Sequence, residues 1–127
     1  MRNSNDFRGL DLQNKDFSGQ DLSGADFSGA NLRYANFSGA TLFFCNFSKA
    51  NLRYANFSDA DLWKSDLEYA NLYRSILYRA NLSGATLYRA ILENADLKFA
   101  NLQGANLSEA YLKNADFSGA NLIDTIQ

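Results

Sequence analysis

Acids, arginines and aromatic rings are the chemically capable side chains of this chain, and each kind recurs at a fixed interval. Asp6, Asp11, Asp16, Asp21 and Asp26 stand five residues apart. Paired carboxylates can act as general acid and base only in a pocket that splits their pKa values. A five-residue rhythm accounts for these acids without a pocket. The same ring could bind a cation or a basic partner, but the preferred reading is a solvated set whose carboxylates cap turns. The chain has no His and a single cysteine, Cys45, so it lacks the ligands of a transition-metal site. Cys45 occupies a position that the repeat otherwise fills with Ala, which predicts a buried, inert thiol. No catalytic, cofactor-binding or metal-binding residue is assigned, and the expectation is a protein that is not an enzyme.

The other chemistry is that of contact surfaces. Arg33-Tyr34, Arg53-Tyr54 and Tyr73-Arg74 recur at twenty-residue spacing, as do Phe43-Phe44 and Trp63-Lys64. Tyr78-Arg79 and Tyr88-Arg89 repeat the pairing elsewhere. Two roles remain open for these rings and guanidinium groups. They could form ladders that steady a sheet, or a surface that docks a protein through exposed aromatic and Arg anchors. Phe43, Phe44 and Trp63 are the expected centre of such a surface, with Arg33, Tyr34, Arg53, Tyr54, Tyr73 and Arg74 beside it.

What positions them is a period of five. Every fifth residue from Phe7 to Leu122 is Leu or Phe, 24 positions without exception. Two residues earlier stands Ala, Cys or Ser in 20 of these units, and immediately before the centre stands Asp or Asn in 19. All eight glycines fall two residues after the centre. Five residues advance a helix about 140° past one turn, so the apolar positions would smear around it. In a flat strand an odd period would flip each centre to the opposite face. The chain must therefore turn inside every unit. Glycine in one slot marks the turn, because the third residue of a type II turn needs φ > 0. Units ending in Gly should make that turn, whereas Tyr34, Tyr54 and other bulky residues in the slot are expected to turn differently.

Arg33 to Ser38 returns letter for letter as Arg53 to Ser58, and the centres alternate Phe and Leu from Phe7 to Leu62. Both fit four units per coil. Units this small bury nothing alone, so they must stack as a solenoid. Each coil would place four large apolar residues and, mostly, four alanines inside a square section. Asn amides are expected to bond from coil to coil and Asp to accept from turn backbone. The absence of Pro fits a backbone whose every donor is needed.

The Ala-Asn/Asp-Leu/Phe-X-X pattern resembles the pentapeptide-repeat family, and the resemblance runs over residues 5–124. It implies an all-β fold, a right-handed quadrilateral β-helix, here of about six coils. A cyanobacterial source would suit such a member. The family also includes quinolone-resistance proteins that mimic DNA and bind gyrase, which gives the alternative function. Residues 1–127 are read as one repeat domain, with tails over 1–4 and 125–127.

The two ends differ. Asn5, Leu10, Lys15 and Gln20 replace Ala in the first coil, as a polar cap would. Leu122, Ile123 and Ile126 leave the other end apolar. Either the last residues fold back over it, or two chains meet there as a homodimer. With 14 acids against 12 bases the chain lacks the basic excess of a nucleic-acid binder. The acids are also too nearly balanced for a convincing phosphate mimic. No apolar segment suggests an export signal or a membrane span. The expectation is a cytoplasmic scaffold or adaptor for an unidentified protein partner, with no cofactor, no membrane and no direct nucleic-acid contact.

Overall fold

The computed structural model describes residues 4–127 and no helix among them. The leading tail over residues 1–4 lies, Ser4 apart, outside the described residues. Parallel bridges join Asp6 to Asp26, Asp11 to Asn31, and so on to Asn106 with Ile126, always twenty residues apart. Each unit contributes one bridge position and one turn, so four units close a coil. The sides start at the units centred on Phe7, Leu12, Phe17 and Leu22, and are called first to fourth in that order. Each side is a stack of single bridge pairs and not a continuous strand.

One unit shows why the coil is stable. In Asn31 to Ala35, the Asn31 amide donates back to the Leu10 carbonyl and the Leu32 amide forward to Asn51, at 2.9 and 2.7 Å. The Tyr34 amide donates to the Arg53 carbonyl at 3.0 Å, and the Ala35 amide closes the turn on the Leu32 carbonyl at 3.0 Å. The fifth donor, the Arg33 amide, reaches the Asn31 side-chain oxygen at 3.4 Å. Every backbone N–H of the unit is paired, so a proline at any of its five positions would delete a bond.

The Asn and Asp side chains therefore do one job. Oδ1 of all 19 accepts from the amide two residues on, in the manner of Ser28 on Asp26 and Ser38 on Asn36 at 2.9 Å each. Of the expected coil-to-coil amide ladder, the described residues show Asn81 to Asp61 at 3.0 Å and Asn121 to Asn101 at 3.3 Å. An oxygen already committed to its own turn leaves no uniform partner for the next amide.

The turns correct a second expectation. The slot after each centre and its neighbour has φ near +60° in every unit, at 16 non-glycine residues as well as the eight glycines. Tyr34 (φ 60°), Phe44 (56°) and Tyr54 (62°) turn as Gly29 and Gly39 (66°) do. The closing bond, with positive φ only at the third turn residue, is the type II arrangement. Left-handed backbone costs an L-residue roughly 1–2 kcal/mol. The bonds to the coils on either side fix the same conformation whatever the side chain, and so outweigh that cost.

Inside, the centres and the small slot are buried from Ala25 through Leu107. Phe27 stacks on Phe7 and Phe47 at 4.6 and 5.0 Å, and Phe37 on Phe17 and Phe57 at 4.9 Å each. The two columns meet edge to face, Phe27 against Phe37 at 5.5 Å and 86°. This arrangement satisfies the quadrupole of each ring. Ser65 and Ser75 sit in the small slot with buried hydroxyls that have no hydrogen-bond partner. At the C-terminal end the chain does not fold back. Ile126 continues the spiral, pairing with the Ala105 carbonyl and the Leu107 amide. Leu122 and Ile123 stay exposed.

Candidate interaction surfaces

The two outward slots differ in depth at most units, because the first lies along a side and the second on a corner; Trp63, exposed in the first slot, and Tyr54, half-buried in the second, depart from this. Arg33, Arg53, Phe43 and Tyr73 are half-buried, whereas Tyr34, Phe44 and Arg74 are exposed. On the fourth side Phe43 and Phe44 each meet Trp63 edge to face, at 6.0 Å and 87° and at 5.1 Å and 67°. The Lys64 ammonium lies 5.0 Å from the indole centroid. Phe44 is 58% exposed and Trp63 37%, so this corner is an aromatic cluster that the chain leaves open.

On the second side Tyr34 stacks on Tyr54 at 4.8 Å and 6°, and Tyr54 meets Tyr73 edge to face at 5.9 Å. Guanidinium groups lie against these rings. Arg33 lies 5.8 Å from the Tyr34 ring, while Arg53 and Arg74 lie 5.5 and 5.6 Å from Tyr73. The Nε atoms of Arg33 and Arg53 are buried and without an acceptor.

The structure brings each group together but separates the two groups. The second and fourth sides of a four-sided coil face opposite ways, so Phe43, Phe44 and Trp63 do not share a surface with the Arg and Tyr ladder. Arg33 and Phe43 stand ten residues apart, two units, and two units are half a turn of the coil. Sequence reasoning also missed two features. On the third side Tyr78 and Phe99 meet edge to face at 5.8 Å and line a shallow groove with Arg79. Arg79 pairs with Asp59 at 3.3 Å, and on the first side Arg89 pairs with Glu109. In each ion pair the partners stand twenty residues apart, which was the available signal.

The acids of the first coil serve turns. Asp21 accepts from the Ser23 hydroxyl and amide at 2.7 and 3.1 Å, and these bonds hold its carboxyl below the usual range. Ser18 does the same for Asp16. Arg8 bridges Asp6 at 2.8 Å and approaches Asp26 at 3.9 Å. Among the described residues no three acidic or sulfur ligands converge as a metal site would require. Cys45 donates to the Leu22 carbonyl at 3.0 Å, and burial pushes its thiol up to about 11. At neutral pH it is a protonated, enclosed sulfur.

A family model described as pentapeptide repeats matches the chain in eight copies, over residues 6–39, 21–58, 55–94 and 90–126. Among solved structures, the pentapeptide repeat protein Rfr23 from the cyanobacterium Cyanothece 51142 is 26% identical, over 98% of this chain and 92% of that one, with a TM-score of 0.57. A pentapeptide repeat protein from the Arabidopsis thaliana thylakoid lumen is 36% identical over 94% of this chain and 66% of its own, with a TM-score of 0.39. A trypsin-treated form of QnrB1, a plasmid-mediated fluoroquinolone resistance protein, is 26% identical over 90% and 66%, also at 0.39. No curated protein sequence matches.

Proposed function

Because the chain belongs to the pentapeptide-repeat family, whose fold is a right-handed quadrilateral β-helix, we propose that it is a cytoplasmic, non-enzymatic scaffold that docks a protein partner on its fourth side. On this reading residues 1–127 are one repeat domain whose units over 5–124 make about six coils, and its C-terminal coil pairs with a second copy. The observation that carries the docking reading is the open corner of Phe43, Phe44 and Trp63. Phe44 holds a left-handed backbone there with its ring largely in water. Three aromatic rings on one rigid corner can desolvate together and lose little side-chain entropy on binding, as interface anchors do.

The alternative, mimicry of DNA for an enzyme such as gyrase, finds less support in the charge layout. No Asp or Glu occurs between Asp26 and Asp59. A duplex presents a charge about every 1.7 Å of its axis, and a rod that lacks acids over this stretch cannot reproduce that density. To test the docking reading, the wild-type protein and the Phe44→Ser, Trp63→Ser double variant are used to capture partners from the native source. A partner retained by the wild type and lost by a folded variant supports the fourth side. An unchanged partner set rejects it, and inhibition of gyrase by the purified wild type would favour mimicry.

A further inference from the structure

Six arginines lie among the described residues, and they divide by location. Arg8, Arg79 and Arg89 are paired with Asp6, Asp59 and Glu109. Arg33, Arg53 and Arg74 have no carboxylate partner among the described residues, and all three stand on the second side. They are held in place by tyrosine rings instead of by opposite charge. A guanidinium over a ring keeps its charge unneutralised and loses little freedom on binding a carboxylate. The buried Nε atoms of Arg33 and Arg53 leave their terminal nitrogens as the donors that a ligand could reach. Along this side Asp11 lies at one end and Glu93 beyond Tyr73 at the other, with no acid from 27 to 58 between them. A chain of net charge -2 thus carries an unneutralised cationic stripe.

We infer that the second side docks an acidic helical segment of a partner protein, laid along the axis of the rod. The repeat of the stripe is one coil, read directly in the 4.8 Å stack of Tyr34 on Tyr54. Carboxylates at i and i+4 of a helix stand about 5–6 Å apart, and i to i+7 spans about 10.5 Å, close to the rise over two coils. Same-face residues of an extended peptide stand about 6.6 Å apart and drift out of register within two coils. A nucleic acid strand extends its charge far beyond three arginines, into the acids at either end of the side, and is repelled there.

The test uses fluorescence anisotropy of a labelled Ala-rich helical peptide with Glu at i, i+4, i+7 and i+11. The controls are the same peptide with those Glu changed to Lys, a Glu peptide with scrambled spacing, and a labelled single-stranded oligonucleotide of similar length. The wild-type chain is expected to bind the Glu helix, to bind the scrambled peptide more weakly, and to lose affinity as salt rises. Arg33→Gln, Arg53→Gln and Arg74→Gln combined should weaken binding by about tenfold or more. Arg79→Gln with Arg89→Gln removes two paired cations elsewhere and should leave binding within about twofold. If the triple Gln variant does not fold, the corresponding triple Lys variant keeps the charge and should retain most of the binding while losing the preference for the regular spacing. The inference is overturned if the wild type does not bind the Glu helix, if the Gln or Lys triple binds it with unaltered affinity and spacing preference, or if the oligonucleotide binds more tightly. Phe44→Ser serves to separate the two surfaces, because loss of peptide binding in that variant alone would move the site to the fourth side and refute the assignment made here.

Discussion

In the first coil Leu12, Phe17 and Leu22 are 8–9% exposed and only Phe7 is half-buried, whereas in the last coil only Leu107 is buried, Leu112 and Phe117 are half-buried and Leu122 is 38% exposed. Both coils have a neighbour on one side only. They differ in the slot two residues before each centre. The first coil fills it with Asn5, Leu10, Lys15 and Gln20, and the last with Ala105, Ala110, Ala115 and Ala120. Lys and Gln have stems long enough to lie over the edge of the interior and still keep a polar head in water, and Leu10 adds a larger apolar side chain than Ala. A methyl group cannot reach. Gln20 extends across its corner to the Asp16 carbonyl at 3.4 Å. The comparison teaches that an open solenoid end is sealed by reach in the very slot that, between coils, has to be small.

The largest effect that can break this comparison is a cavity. Phe37 is fully buried between Phe17 and Phe57, so Phe37→Ala should destabilise the fold by about 3–5 kcal/mol. Phe117→Ala, the same chemistry in the same column, should cost only about 1–2 kcal/mol because less apolar area leaves water there. Urea unfolding measures both. Equal losses would mean that the last coil is covered in solution.

Cover by a second copy is the next test, and it sharpens the same contrast. Leu122, Ile123 and Ile126 form an exposed apolar edge. Light scattering is expected to give a dimer, and Leu122→Asp with Ile126→Asp a monomer. At a concentration about 100 times the dissociation constant, mass action adds roughly 2.7 kcal/mol of apparent stability that the double variant would lose. A monomeric wild type leaves the end open and removes the pairing proposal.

Much of this was legible because one rule repeats. A run of 24 Leu or Phe centres, with small residues two before and Asx one before, dictates a coil. Its four-sidedness followed from the twenty-residue echo. What failed were inferences made one residue at a time. Tyr34 and Tyr54 were assigned a different turn because bulky residues avoid positive φ, yet their amides are bonded to Arg53 and Tyr73 in the next coil. The backbone conformation belongs to the stack and is not chosen by the residue. The Asn ladder failed for a related reason, since each Oδ1 is consumed within its own turn. The joining of the two groups into one surface came apart on arithmetic of sides. Arg53 and Trp63 are ten residues apart, two units, and two units are half a coil. Pairing of Arg79 with Asp59 and of Arg89 with Glu109 was written in the twenty-residue offset, and it is what isolates the three unpaired arginines.

The smallest effect concerns the corners, and it too distinguishes middle from end. Lys49 holds φ of 60° on an exposed corner of a central coil, with its amide bonded to the Glu68 carbonyl at 2.9 Å. Changing Lys49→Gly removes a left-handed penalty of roughly 1–2 kcal/mol. It also adds about 0.5–1 kcal/mol of backbone entropy to the unfolded chain, which opposes the gain. The net should be a stabilisation of about half a kcal/mol, seen as a small rise in the urea midpoint at unchanged slope. Asp124 has the same backbone angle, 59°, in the last unit. There Asp124→Gly should change nothing measurable, because an end unit bonded to one neighbour opens before the rod unfolds and its strain is released outside the global transition. A clear gain at Asp124 would show that the last coil unfolds together with the centre, and with it the distinction between the two regions would fall.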